Sequence, residues 1–237
     1  FEKYGYWKDS VIRVKGDAVW NFTVMFLSTW DFLSQTKEDA SKFRKDIPLL
    51  KEDNPSGFVQ PYNDTPLDYE GVGETVYLNL INKATDYIYI TAPYLIIDNE
   101  MVTALCNAAK SGVDVRIITP HIPDKKIVYM VTCSFYPLLM ESGIKIYEFT
   151  PGFIHAKNMI VDDTYGIVGS INLDYRSLYL HYECGVWMYK SDCIMDMKKD
   201  FLKTIEESKL LYYEKSKYKN CYNRFASSIL RILAPLF

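Results

Sequence analysis

Apolar positions recur along the chain at two periods, and the switches between them predict its elements. Residues 11–14 form a short β-branched run that meets Gly16, which predicts a strand. Asp17 then stands where a helix cap belongs, ahead of Trp20, Val24, Leu27 and Phe32 at helical spacing. The apolar stretch 18–30 lies between Asp17 and Asp31. It is shorter than the roughly 20 residues a membrane span needs, so it reads as a buried core helix. Residues 37–57 are rich in charge and hold Pro48, Pro55 and Gly57, the pattern of a connector, which places a boundary near Ser56.

Beyond that boundary helix and strand patterns alternate. Val76, Tyr77, Leu80, Ile81 and Ala84 make a helical stripe, and residues 87–91 a strand. Met101, Val102, Leu105 and Ala109 make a second stripe before a strand at 115–119. A third helix over 127–140, interrupted by Pro137, leads to a strand at 145–149. Ser111-Gly112-Val113 and Ser142-Gly143-Ile144 supply glycines for left-handed helix ends. After Pro151-Gly152 the pattern becomes strand, turn, strand, followed by a strand at 183–189 and a helix at 192–208. Cys221, Phe225, Ile229, Ile232 and Leu233 then make an amphipathic helix closed by Pro235. The expected fold is α/β, a mixed but mostly parallel central sheet flanked by helices.

Composition narrows the function classes. With 237 residues of which 49% are apolar, general disorder is excluded. Lys and Arg number 27 against 30 Asp and Glu, so no global basic field favours nucleic acid, and a phosphate partner must be held locally. Residues 198–231 depart from this balance, with nine Lys or Arg and four Asp or Glu. That tail suits an anionic membrane, and packing on its own domain with solvated lysines fits equally well. The five cysteines form no C-x-x-C pair, which favours a reducing compartment. The chain opens at Phe1 without Met, the look of an excised piece.

One stretch carries chemistry: His155-Ala156-Lys157, then Asp162, then Gly169-Ser170-Ile171-Asn172. On strands His155 and Lys157 share a face, as do Ser170 and Asn172. A hairpin turning at Asp163-Thr164 sets His155 opposite Asn172 and Lys157 opposite Ser170. An imidazole, an ammonium, an amide and a hydroxyl with no acid among them suit an anionic tetrahedral group, and phosphate fits best. Asp162 has the opposite parity and is expected to serve the turn. His121 and Tyr94 follow strand ends, where α/β sheets bind ligands, and are weaker candidates for substrate contact. Asp98 stands beside Tyr94 in this respect, and His181 reads as scaffold.

This spacing, H-x-K-x4-D-x6-G-S-x-N, resembles the signature of the phospholipase D superfamily, and the wider chain is similar to its bacterial cardiolipin synthases. Tyr4-Gly5-Tyr6-Trp7-Lys8-Asp9, Ala92-Pro93-Tyr94, Thr119-Pro120-His121 with Ile122-Pro123-Asp124-Lys125, and Asn172-Leu173-Asp174-Tyr175-Arg176-Ser177 extend the likeness over nearly the whole chain. The resemblance implies a phospholipase D-like fold and two facing motifs. One histidine attacks phosphorus while the other acts as acid and base, with Lys157 and Asn172 stabilising the phosphoryl oxygens. It implies no metal or cofactor, and it assigns Glu183 to orient His155.

Only one motif is present. The resemblance therefore divides the chain into 1–56, the remainder of a first half plus connector, 57–215, a domain with one motif, and 216–237, a terminal amphipathic helix. It implies phosphatidyl transfer between two phosphatidylglycerol molecules to give cardiolipin at the cytoplasmic side of a bacterial membrane. The partner for catalysis is the amino-terminal half of the same protein or a second copy in a dimer. The alternative is a single-motif phosphodiesterase or nuclease acting as a homodimer.

Overall fold

The computed structural model describes residues 6–44, 56–68, 70–212, 228–232 and 234–236. In chain order its elements begin β1 (Tyr6–Lys8), α1 (Ala18–Ser34), β2 (Phe58–Asp64), α2 (Val72–Lys83), β3 (Tyr87–Thr91) and β4 (Leu95–Ile96). Then come α3 (Asn99–Lys110), β5 (Asp114–Pro120), α4 (Lys126–Glu141), β6 (Lys145–Phe149), β7 (Gly152–Ile154) and β8 (Asn158–Val161). The series closes with β9 (Tyr165–Gly169), β10 (Leu173–Asp174), α5 (Tyr175–Tyr179), β11 (Glu183–Tyr189), α6 (Cys193–Glu206) and β12 (Ser208–Leu210).

The central sheet has eight strands in the order β12-β6-β5-β3-β8-β9-β11-β2. Both faces are buried, because alternate residues of each strand meet different helices. Ile88 and Ile90 of β3 pack into a core with Leu80, Leu105 and Phe135 of α2, α3 and α4. Tyr87 and Tyr89 face the other way, toward Ile194 and Phe201 of α6. The result is three layers, with helices on both sides of the sheet. Gly112 and Gly143 end α3 and α4 with φ of +99° and +100°, as the sequence predicts.

The mixed α/β sheet flanked by helices is as expected, but its parallel character is confined to the β3–β5 and β5–β6 pairs. The other five pairings are antiparallel. The excess comes from the β8–β9 hairpin, from β11, which returns beside β9 after β10 and α5, and from β2 and β12. The last two lie at the sheet edges, where the apolar run that marks a doubly covered strand is missing. Residues 11–14 form no strand; the strand of this region is β1, paired in parallel with β7. Nor is α1 a core helix: Leu27 alone is buried in it, and Trp30 and Leu33 are 52% and 70% exposed. Its large side chains point around the helix rather than along one stripe.

The hairpin register also differs by one residue from expectation. Asn158 pairs with Val168 and Val161 with Tyr165, so the loop is the three residues Asp162, Asp163 and Thr164 rather than two. Asp162 and Asp163 both take left-handed φ, near +51° and +52°, which lengthens the turn and shifts every pair. Lys157 consequently stands against Gly169, whose N–H reaches the Lys157 carbonyl at 3.3 Å, and not against Ser170. Of the amphipathic terminal helix, residues 221–227 and 233 lie outside the described residues, and residues 228–232 are helical. Among the described residues no helix is long and apolar enough to cross a membrane.

Candidate active site

The open end of the β8–β9 hairpin lies at the carboxyl edge of the parallel strands, where Asn158 pairs with Thr91 at the end of β3. Here a cleft of about 520 Å³ is lined by His155, Lys157, Gly169, Ser170 and Asn172, with Asp9 and Ser10 on its other wall. Strand alternation alone does not assemble this set. Residues 155–157 and 170–172 lie outside regular strand, where the chain turns side chains of both parities toward one space.

His155 follows β7 directly, and its N–H donates to the Lys8 carbonyl at 2.7 Å. The close approach of β1 explains Gly152: a Cβ there would lie 1.7 Å from the Tyr6 carbonyl oxygen. The same pairing carries Asp9 to the imidazole, with Oδ2 at 3.1 Å from Nδ1, while the Trp7 ring stands 5.3 Å from it. A carboxylate on Nδ1 holds the proton there and leaves the Nε2 lone pair for chemistry.

Lys157 is only 7% exposed and donates from Nζ to the His155 carbonyl. Burial lowers its ammonium to about 8, against the upward pull of the Asp9, Glu183 and Asp174 carboxylates. Asn172 donates from Nδ2 to Ser177 Oγ at 2.9 Å, and its Oδ1 is buried with no hydrogen-bond partner among the described residues. Ser170 donates to the Glu183 carboxylate and accepts the Cys184 N–H at 3.0 Å. Gly169 is required by the approach of β11, since a Cβ would meet the Cys184 carbonyl oxygen at 2.6 Å.

The expected partner of His155 is corrected by this geometry. Glu183, at the start of β11, binds Ser170 and stands 3.5 Å from His181 Nδ1, while Asp9 occupies His155 Nδ1. The reason is topological: β11 flanks β9, on the far side of the hairpin from β7. Asp9 was missed as a ligand of the imidazole although it closes the quoted Tyr4–Asp9 run, because nothing local to that run reveals its pairing with β7. Asp162 takes no part in the cleft. Its carboxylate accepts the N–H groups of Thr85, Asp86 and Tyr87 and the Thr85 hydroxyl, which lowers its pKa.

His121 is also outside the cleft; its Nδ1 pairs with Glu148 Oε2 at 2.8 Å beyond β5. Tyr94 donates its hydroxyl to Asp124 at 2.6 Å and lines a second, larger cavity that meets the first at Asn172. Asp98 caps α3 through the Met101 N–H and accepts the Tyr179 hydroxyl, so it acts in scaffold.

Residues 77–205, over half of the chain, match the family described as "Cardiolipin synthase, PLD-like domain". A cardiolipin synthase of Halalkalibacterium halodurans is 34% identical over 98% of this chain and 46% of its own length. A Streptococcus mutans protein, named only as uncharacterized, is 45% identical over 99% of this chain and 50% of its own. The chain thus spans about half the length of the curated relatives it matches. Among solved structures, Nuc of Salmonella typhimurium, titled a phospholipase D family member, covers 65% of this chain and 97% of its own at TM-score 0.55 and 21% identity. Phosphatidylserine synthase of Haemophilus influenzae covers 75% of this chain and 45% of its own at TM-score 0.54 and 18% identity. These two likenesses speak to the fold.

Proposed function

The chain belongs to the cardiolipin synthase PLD-like domain family, and on that premise we propose that it supplies one half of a phosphatidyltransferase active site that makes cardiolipin from two phosphatidylglycerol molecules. The observation that carries this reading is the convergence of His155, Lys157 and Asn172 on one cleft. In the first step one imidazole nitrogen attacks phosphorus; the N–P bond forms, the P–O bond to glycerol breaks, and the leaving oxygen takes a proton from the second imidazolium. In the second step the acceptor hydroxyl gives its proton to that imidazole as its oxygen attacks phosphorus, and the N–P bond breaks. Lys157 and the Asn172 amide hold the nonbridging oxygens through both steps.

The second imidazole belongs to a partner motif, in the amino-terminal half of the same protein or in a second copy. The Asp9–His155 pair supports the first arrangement, because residues 1–56 are then the remainder of that half and already contribute to this site. By the same logic Glu183, not engaged by His155, serves the histidine of the partner motif. The exposed, stacked pair Phe26 and Trp30 on α1 suits contact with that half. These substrates call for an anionic membrane, and the reading assigns the catalytic part to its cytoplasmic side. A nuclease reading is not favoured, since the 34%-identical relatives are cardiolipin synthases and the net charge is −3. The test is reconstitution of the intact protein in phosphatidylglycerol vesicles. Cardiolipin and free glycerol in equal amounts are expected; hydrolysis of other diesters without cardiolipin overturns the proposal.

A further inference from the structure

Beside the cleft lies a larger cavity, of about 890 Å³, whose composition is different. Its polar rim holds Lys125, Lys126 and Arg176, all exposed. Among the described residues none of the three has a carboxylate within ion-pair distance. The carboxylate in the lining, Asp174, is buried and committed to the Ser177 N–H at the start of α5. The wall is apolar, formed by Ile96, Ile127, Val128 and Leu236, with Ile127 and Leu236 60% and 71% exposed.

Unpaired cations above an aliphatic wall match one chemistry, a phosphate joined to an acyl glyceride. Tyr94 and His181 complete the lining; a nucleotide, polar throughout, does not match the exposed Ile127 and Leu236, and a free phosphate leaves most of the volume and the apolar wall unused. Asn172 lines both cavities, whereas His155 and Lys157 line only the smaller. A lipid held in the larger cavity therefore presents its headgroup at Asn172, beside the phosphorus held in the cleft.

We propose that this cavity is the acceptor site: Lys125, Lys126 and Arg176 bind the phosphate of the second phosphatidylglycerol, and its acyl chains run out over Ile127, Val128 and Leu236. The assignment rests on the phosphatidyl-transfer reading and adds to it where the acceptor lipid is selected. The donor is bound elsewhere, at His155 and Lys157, so the two lipids are separable by mutation.

The test compares two reactions of the intact protein, cardiolipin formation and exchange of labelled glycerol into phosphatidylglycerol, which needs the donor site and no acceptor lipid. Lys125→Ser with Lys126→Ser, and separately Arg176→Ser, are expected to raise the apparent KM for cardiolipin formation about tenfold each, as loss of a charge-assisted phosphate contact does. Glycerol exchange stays within about twofold of the unmodified protein. Equal losses in both reactions, or no loss in either, overturn the proposal. Calorimetric titration with soluble dihexanoyl phosphatidylglycerol keeps the two readings distinguishable. If the unmodified protein catalyses neither reaction, the transfer reading falls. The lipid site then stands if the variants weaken that titration about tenfold relative to dihexanoyl phosphatidylcholine, and falls if they do not.

Discussion

The two ends of the β8–β9 hairpin use similar residue types to opposite effect. At the closed end the Asp162 carboxylate gathers three backbone N–H groups and a hydroxyl, Tyr87 donates its hydroxyl to Asp163, and Lys198 pairs with the same Asp163 at 2.8 Å. Little hydrogen-bonding capacity is left over. At the open end Lys157 is buried with its ammonium lowered, and the Oδ1 atoms of Asn158 and Asn172 are buried without partners among the described residues. A polar group satisfied within the fold contributes to stability, whereas one desolvated and left short of partners is held ready for a ligand. One motif thus contains both an aspartate committed to structure and a lysine left facing the cleft, and only the surroundings separate them.

Replacing His155 by Ala gives the sharpest contrast: phosphatidyl transfer by the intact protein is expected to fall about 10⁴-fold with the thermal midpoint little changed. A large loss of midpoint would mean that the open end also carries stability. Asp162→Ala is expected to do the reverse, costing about 3 kcal/mol in denaturant unfolding through four lost hydrogen bonds. The soluble fraction keeps its kcat. The Asp162 pKa is lowered by folding, so its contribution is complete at neutral pH and disappears as pH falls through its folded value. In Asp162→Ala the acid limb of the stability curve therefore flattens.

Asp9→Asn tests whether orientation of the imidazole crosses from the β1 segment. Transfer is expected to drop about 10²-fold with phosphatidylglycerol binding retained, and Glu183→Gln should leave the state of His155 unchanged by NMR. An imidazole shift in the Glu183 variant would restore the assignment that the geometry overturns. The smallest effect is a pH profile. Lys157 must be protonated to hold phosphate, so kcat/KM falls as pH rises through about 8, and in Lys157→Arg that limb moves beyond pH 10 at reduced rate. The same lowered value predicts that, relative to Lys157→Met, stability rises between pH 8 and the ordinary lysine range, since at Lys157 the unfolded chain then binds more protons than the folded one. Buried groups such as Cys133 and Tyr77, whose pKa values burial raises, act in the opposite sense in both proteins and cancel in the comparison. A difference in thermal midpoint between the unmodified protein and Lys157→Met that does not move in favour of the unmodified protein over that interval contradicts a buried Lys157 ammonium.

Much of this was legible in order along the chain. Strands β3, β6 and β11 fall at the bounds the sequence pattern predicts, and Gly112 and Gly143 announce the ends of α3 and α4. The fixed spacing of polar residues from His155 to Asn172 singles out this stretch in the sequence, and the fold brings His155, Lys157, Ser170 and Asn172 to one cleft while Asp162 stays in the turn. The two-residue strands β4 and β10, and β12 at the sheet edge, carry no period of their own and exist through their neighbours.

The chain by itself determined which chemistry is offered, since imidazole, ammonium and amide are properties of single residues at fixed intervals. Tertiary structure decided how they meet. The left-handed pair Asp162 and Asp163 moved the register by one residue, and breaks in both strands turned the side chains into one cleft. The pairing of β1 with β7 gave Asp9 rather than Glu183 to His155. That last choice depends on a contact between segments more than a hundred residues apart, whose energy no local pattern records.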